Sequence, residues 1–403
     1  MKAHILIIAD GRSDTARSWI RNILSLGYRV SLVSTFPCHP PEGLEHILTL
    51  PVAFSRFSRK VTTGVPAPNQ KKSRLKSMIR RYSGGFQTLR YFIGPLTLAR
   101  YAMPLKNFIR QVQPDLVHAL RIPYEGMLGA ATPQGIPFLA ATWGNDLTLH
   151  ADGSFLMRRF TRRCLERADG LTSDTHRDVR LAQAWGLEAD APALVVPGCG
   201  GLDLDAIRKT SPTESDTFNI PGSGKWVINP RGLRPDSIHQ DVFFAAIPKV
   251  LAQYPEAIFI CPALAGKSHI ESLVEKYGIR ERVFLLPRLP RKPLWALMIK
   301  SQVFVSPSSH DGTPNTLLEA MALGCFPVAG DIESLREWIE PGINGLLVNP
   351  TDPEELADAI LQALESAELR RRAAERNFAI IQNRADRAAT LPEIDRFYSQ
   401  FLS

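Results

Sequence analysis

The stretch Val303–Ala329, VFVSPSSHDGTPNTLLEAMALGCFPVA, carries the residues whose types and spacing say most about chemistry. Val303 to Ser306 reads as a buried strand, Gly312, Thr313 and Pro314 interrupt it, and a helix is predicted to open near Asn315. The first amides of a helix have no intrahelical acceptor and sit at the positive end of its dipole, so such a junction attracts anions. A diphosphate would sit well there. Glu319 lies about one turn farther along, where a carboxylate can accept hydrogen bonds from vicinal hydroxyls such as those of a ribose. The spacing lets one ligand meet both.

The elements that must position these residues follow from the apolar rhythm. In the first half, short runs at His4–Ile8, Val30–Ser34, Leu116–Ala119 and Phe138–Thr142 alternate with amphipathic stretches. The second half repeats this, with strand candidates at 225–229, 257–261, 283–286, 303–306, 326–329 and 345–348 and helical patterns at 241–253 and 315–323. Strands alternating with helices predict parallel sheets built from βαβ units, hence two doubly wound α/β domains. The Ser-, Thr-, Pro- and Gly-rich segment RKTSPTESDTFNIPGSG, residues 208–224, reads as the linker. Domains are therefore expected at 1–207 and 225–385, with a terminal helix in 386–403 returning to the first domain. Ligands of open α/β sheets bind outside the carboxyl ends of strands, so the expected site is a cleft where two such edges face each other.

The pattern S-x-x-D-G-x-x-x-x-L-L-E-A-M-A-x-G-x-P-V resembles the signature of the retaining nucleotide-sugar glycosyltransferases of family four, which have the GT-B fold of two Rossmann-like domains facing across a cleft. Asp311 and Glu319 match that family's two acidic residues, eight positions apart. Further matching elements are the Gly11 loop after the first strand, Pro114–His118, Thr142–Asp146, Val195–Gly198 and Gly342–Val348. The resemblance implies that Glu319 holds the ribose, that Asp311 approaches the donor sugar, and that the Gly312–Asn315 backbone meets the diphosphate, with Thr316, Arg234 and Arg288 completing the donor side. Arg231, in Asn229-Pro230-Arg231-Gly232-Leu233, matches the family's arginine after the first strand of the second domain; with a nearby lysine it neutralises the leaving diphosphate in place of a metal ion. The chemistry is sound independently, because fixed cations and a helix dipole lower the barrier for a phosphate leaving group. Two departures stand out. Asp311 occupies a position usually held by Glu, and the lysine's place falls near Ile238, with Arg234 or His239 as possible substitutes.

On the acceptor side the candidates are Gly11, Arg12 and Ser13, with His118 and Asp146 as further catalytic candidates. Each has a structural alternative: a tight turn for Gly11, a satisfied internal imidazole for His118, a helix cap for Asp146. No metal or other cofactor is expected, since His310 has no second histidine at ligand spacing.

Net charge is +8, yet between Ile47 and Pro114 there is no Asp or Glu against thirteen Lys and Arg, so the remainder is mildly acidic. Aromatic and aliphatic residues interleave there, as on a surface that meets anionic lipid headgroups. Zinc-finger, RNP-like and helix-turn-helix patterns are missing, which argues against nucleic acid. Five scattered cysteines without C-x-x-C suggest neither disulfides nor zinc and fit a reducing compartment. Asp10 and Gly11 interrupt the first apolar run too early for a signal peptide, and no run approaches the roughly 20 apolar residues of a membrane span. Together with the resemblance, which implies an enzyme that moves sugar from a nucleotide sugar to a saccharide or lipid-linked acceptor in envelope or exopolysaccharide synthesis, these features predict a cytoplasmic protein, peripheral on the inner membrane face. The rivals are a nucleotide-sugar epimerase and a non-catalytic relative with a degenerate donor site.

Overall fold

Residues that alternate in their apolar contacts make the first sheet. In β1 (His4–Ala9), Ile5 and Ile7 join one core and Leu6 and Ile8 the other, so both faces of the strand are buried, as parallel sheets require. A computed structural model describes residues 2–53, 55, 90–222, 224–234 and 236–402. Nine of the cations in the basic stretch, Arg56, Arg59, Lys60, Lys71, Lys72, Arg74, Lys76, Arg80 and Arg81, lie outside the described residues. The chain divides into two units: Met1–Ser173 with Asp178–Cys199 and Glu393–Ser403, and Asp174–Arg177 with Gly200–Pro392.

The first unit is a seven-stranded sheet in the order β3-β2-β1-β4-β5-β6-β7, built from β1, β2 (Arg29–Ser34), β3 (Ile47–Thr49), β4 (Leu116–Ala119), β5 (Phe138–Thr142), β6 (Gly170–Ser173) and β7 (Ala193–Val195). All its pairings are parallel. Helix α1 (Asp14–Ser25) lays Trp19, Ile20 and Ile23 against one face. Helices α2 (Leu98–Val112) and α3 (Phe155–Arg167) cover the other with Leu105, Phe108, Ile109, Met157 and Leu165. Ile394, Phe397 and Tyr398, near the chain's end, complete the α1 side, and Trp19 Nε1 donates to the Tyr398 hydroxyl at 2.9 Å.

The second unit is a six-stranded parallel sheet in the order β10-β9-β8-β11-β12-β13, formed by β8 (Trp226–Ile228), β9 (Ile258–Cys261), β10 (Val283–Leu285), β11 (Val303–Ser306), β12 (Phe326–Gly330) and β13 (Leu346–Val348). Helix α4 (Gln240–Gln253) and helix α5 (Pro353–Glu365) bury Phe243, Phe244, Ile247, Leu356 and Ile360 on one face. From β8 the chain runs to β9 and β10 on one side, then returns to β11 on the other. The β8/β11 boundary is thus the switch point where an open α/β sheet leaves a crevice. The two doubly wound, Rossmann-like halves are those the alternation predicts.

Candidate active site

Two chain segments leave the second sheet at its switch point, one after β8 and one after β11. The first carries Arg231; the second, Pro307 to Pro314, leads into the helix Asn315–Ala322. Pro314 sits in extended backbone just before this helix, has no N–H, and accepts from the Leu317 and Leu318 amides at 2.9 and 3.3 Å. The amides of Asn315 and Thr316 meet no acceptor among the described residues. They form the anion-facing end of the helix.

Arg231 is nearly fully buried beside this opening. Its Nη1 donates to Thr316 Oγ1 at 2.8 Å and its Nη2 to the Asp311 carboxylate. Burial pulls its pKa down to about 10; Asp311 counteracts that and the charge of Arg234 adds to it. The guanidinium is therefore cationic at neutral pH and fixed where negative charge would arrive. Glu319 lies one turn into the helix and is also buried. Burial pushes its pKa up to about 7, with Arg291 and the Trp295 indole pulling the other way. The Trp295 indole is the donor that faces its carboxylate. A buried acid with so few donors is costly unless protonated or met by a ligand.

The chain matches the family described as glycosyl transferase 4-like domain over residues 11–199 and glycosyl transferases group 1 over residues 218–379. The chain belongs to the family-four glycosyltransferases of the GT-B fold. It is 25% identical over 359 residues to a phosphatidyl-myo-inositol mannosyltransferase of Mycolicibacterium smegmatis, covering 85% of this chain and 86% of the relative. It is 30% identical over 222 residues to a D-inositol 3-phosphate glycosyltransferase of Corynebacterium urealyticum, covering 51% of each. The fold resembles the solved sucrose-phosphate synthase of Thermosynechococcus elongatus, with a TM-score of 0.74, 17% identity and 99% of both chains covered. It also resembles Anabaena HepE in complex with UDP, with a TM-score of 0.71, 17% identity, and 99% of this chain and 100% of that one covered.

Several of the glycosyltransferase's expected site residues have other partners. The Gly312 amide donates to Asp311 Oδ1 at 3.1 Å and the Thr313 amide to Asp174 Oδ2 at 3.0 Å. With Pro314 lacking an N–H, the loop's amides for an anion are those of Asn315 and Thr316, one step later than the motif suggests. Asp311 is turned inward: one oxygen takes Arg231 and the other the Gly312 amide, so its carboxylate holds the cation and the turn rather than facing outward to a sugar. Ile238 is buried at the lysine's expected place, bridged to Ser308. Of its two possible substitutes, Arg234 is exposed and its charge reaches Arg231, whereas His239 Nε2 lies 3.0 Å from Ser309 Oγ. Arg288 is exposed.

In the first unit the candidates are held by structural partners, although Asp146 is not a helix cap. His118 is fully buried, its Nδ1 2.8 Å from the Tyr398 hydroxyl and its Nε2 3.1 Å from Thr172 Oγ1. Burial pushes its pKa down to about 3, so both ring nitrogens are committed and the ring stays neutral. Asp146, also fully buried, accepts from Arg121 Nε at 2.8 Å and from the Ile122 and Trp143 amides at 3.2 Å. These partners leave neither residue free for substrate. Gly11 is required by packing, since a Cβ there would lie 2.4 Å from Cys38 Sγ and 2.9 Å from Ser34 Oγ. Arg12 pairs with Asp10 and stacks over Phe36, and Ser13 caps α1.

Sequence reasoning missed the groups that hold the loop before the Asn315–Ala322 helix. Thr313 Oγ1 donates to the Asp174 carbonyl at 2.5 Å and accepts from Trp338 Nε1 at 2.9 Å. Neither partner carries a local signal, because both meet the loop only in three dimensions.

Proposed function

We propose that this glycosyltransferase takes its sugar from a nucleotide diphosphate sugar held at the opening of the Asn315–Ala322 helix, and transfers it with retention to a saccharide or lipid-linked acceptor. One observation carries the reading: two helix amides that meet no acceptor among the described residues, a buried arginine beside them, and a buried acid one turn on. The amides and Arg231 bind the diphosphate, Glu319 the ribose hydroxyls. Anabaena HepE has been solved in complex with UDP and with UDP-glucose, which is consistent with such a donor.

In the step we envisage, the bond between the sugar's anomeric carbon and the diphosphate oxygen breaks as the acceptor oxygen bonds to that carbon on the same face. The acceptor's proton passes to the departing diphosphate. Arg231, Arg234 and the helix dipole stabilise the charge that develops there, the role a metal ion plays in other phosphate chemistry. The acceptor's home would be the inner face of the cytoplasmic membrane, during envelope or exopolysaccharide synthesis. Exposed Phe92, Ile93, Leu96, Met103 and Phe155, together with the exposed cations Arg100 and Arg110, support that placement.

Thermal-shift measurement against nucleoside diphosphates and their sugars tests the donor assignment, since a ligand that binds only the folded protein raises its apparent stability. At least one nucleoside diphosphate should raise Tm in the wild type and not in Glu319→Ala. A flat response to the whole panel would defeat the reading.

A further inference from the structure

The Arg231 guanidinium is held by Thr316 and Asp311, but its backbone is held by something else. In the turn from Asn229 to Gly232, the Arg231 amide donates to Asn229 Oδ1 at 3.2 Å. Asn229 Nδ2 then donates to Gln240 Oε1 at 2.9 Å, and Gln240 Nε2 donates to the Gly232 carbonyl at 2.8 Å. Each amide donates at one end and accepts at the other, so both orientations are fixed by the chain of bonds. Asn229 and Gln240 are 0% and 3% exposed, which removes water as a replacement partner. Gly232 has φ +63, the left-handed region that favours glycine, so the turn is a specific conformation that Gln240 clasps from both ends. Gln240 itself opens α4, whose Phe243, Phe244 and Ile247 are locked in the core.

We infer that Gln240 is a positioning residue for the leaving diphosphate: by clasping the Asn229–Gly232 turn it aims Arg231 at the opening of the Asn315–Ala322 helix. This rests on the donor reading above. Without the side-chain amide, the Asn229 Nδ2 group and the Gly232 carbonyl lose buried partners, and the turn relaxes to find others.

The test is titration calorimetry of the full chain with inorganic pyrophosphate and, separately, UDP. It compares wild type, Gln240→Leu, Gln240→Glu, Arg231→Gln and the Gln240→Leu/Arg231→Gln double variant. Gln240→Leu should weaken pyrophosphate binding about tenfold, the scale of one buried hydrogen bond to a charged site's support. In the Arg231→Gln background it should add less than about twofold, because coupled residues are non-additive. A structural role unrelated to Arg231 would give the same loss in both backgrounds. That result, or wild-type affinity in Gln240→Leu, overturns the inference. If Gln240→Leu does not fold, Gln240→Glu, which still accepts from Asn229 but cannot donate to Gly232, serves in its place with the same two expectations. Failure of the wild type to bind either probe overturns the donor reading instead, and this inference with it.

Discussion

Glu319 connects burial to binding most directly. Its pKa of about 7 in the free protein makes it partly protonated at neutral pH, and in the proposed binding mode two ribose hydroxyls donating to both of its oxygens require the carboxylate. Nucleoside diphosphate affinity should therefore rise as pH increases through about 7, with proton release seen as a buffer-dependent calorimetric enthalpy; Glu319→Gln should bind weakly at every pH and lose that dependence. The same group costs stability in the opposite sense. Its folded pKa exceeds the unfolded value of 4.5, so the folded protein holds more protons between about pH 4.5 and 7, and this contribution to stability falls as pH rises across that window. His118 has the reverse sign: with a pKa lowered from 6.5 to about 3, its contribution is present above about 6.5 and is lost as pH falls toward 3. His118→Phe leaves the Thr172 and Tyr398 hydroxyls short of a partner and should cost about 1–3 kcal/mol in urea unfolding. Turnover per folded molecule should stay near wild type; loss of turnover with unchanged stability would restore a catalytic role to this ring.

At the scale of elements, the strand-loop-helix after β11 was legible from the sequence because its signals are local: an apolar run, then Gly312 and Pro314, then helical periodicity through Glu319. What escaped is non-local. Asp174 and Trp338 reach Thr313 from 139 and 25 residues away, and no spacing rule connects them. His118 lies in β4 and Asp146 beyond β5, but their burial depends on Tyr398 and Arg121, side chains that one-dimensional pattern cannot bring to them. Trp338→Phe keeps the packing and removes the N–H that Thr313 Oγ1 accepts. It should lower nucleoside diphosphate affinity severalfold while costing only about 1 kcal/mol of stability. A variant with unchanged affinity would mean that the Asp174 contacts hold the loop alone.

Across the whole molecule, the alternation of apolar runs sufficed to foresee two parallel sheets, since buried strands and amphipathic helices are written in local hydrophobicity. The uneven charge was equally plain, although most of its basic stretch lies outside the described residues. Among the described residues no helix is long and apolar enough to cross a membrane. In the proposed membrane placement, exposed Phe92, Leu96 and Phe155 meet a bilayer's surface and the cations of residues 47–114 are drawn to anionic lipid. Flotation with vesicles containing phosphatidylglycerol at low salt should recover the protein, and neutral vesicles or high salt should not; equal recovery from both would remove the electrostatic attraction. The most direct measurement for the proposed donor site is a crystal structure with the nucleoside diphosphate that raises Tm most. The expected result has phosphate oxygens bonded to the amides of Asn315 and Thr316 and to Arg231, with the ribose hydroxyls on Glu319. A nucleotide bound elsewhere, with those amides and that carboxylate untouched, would contradict the account.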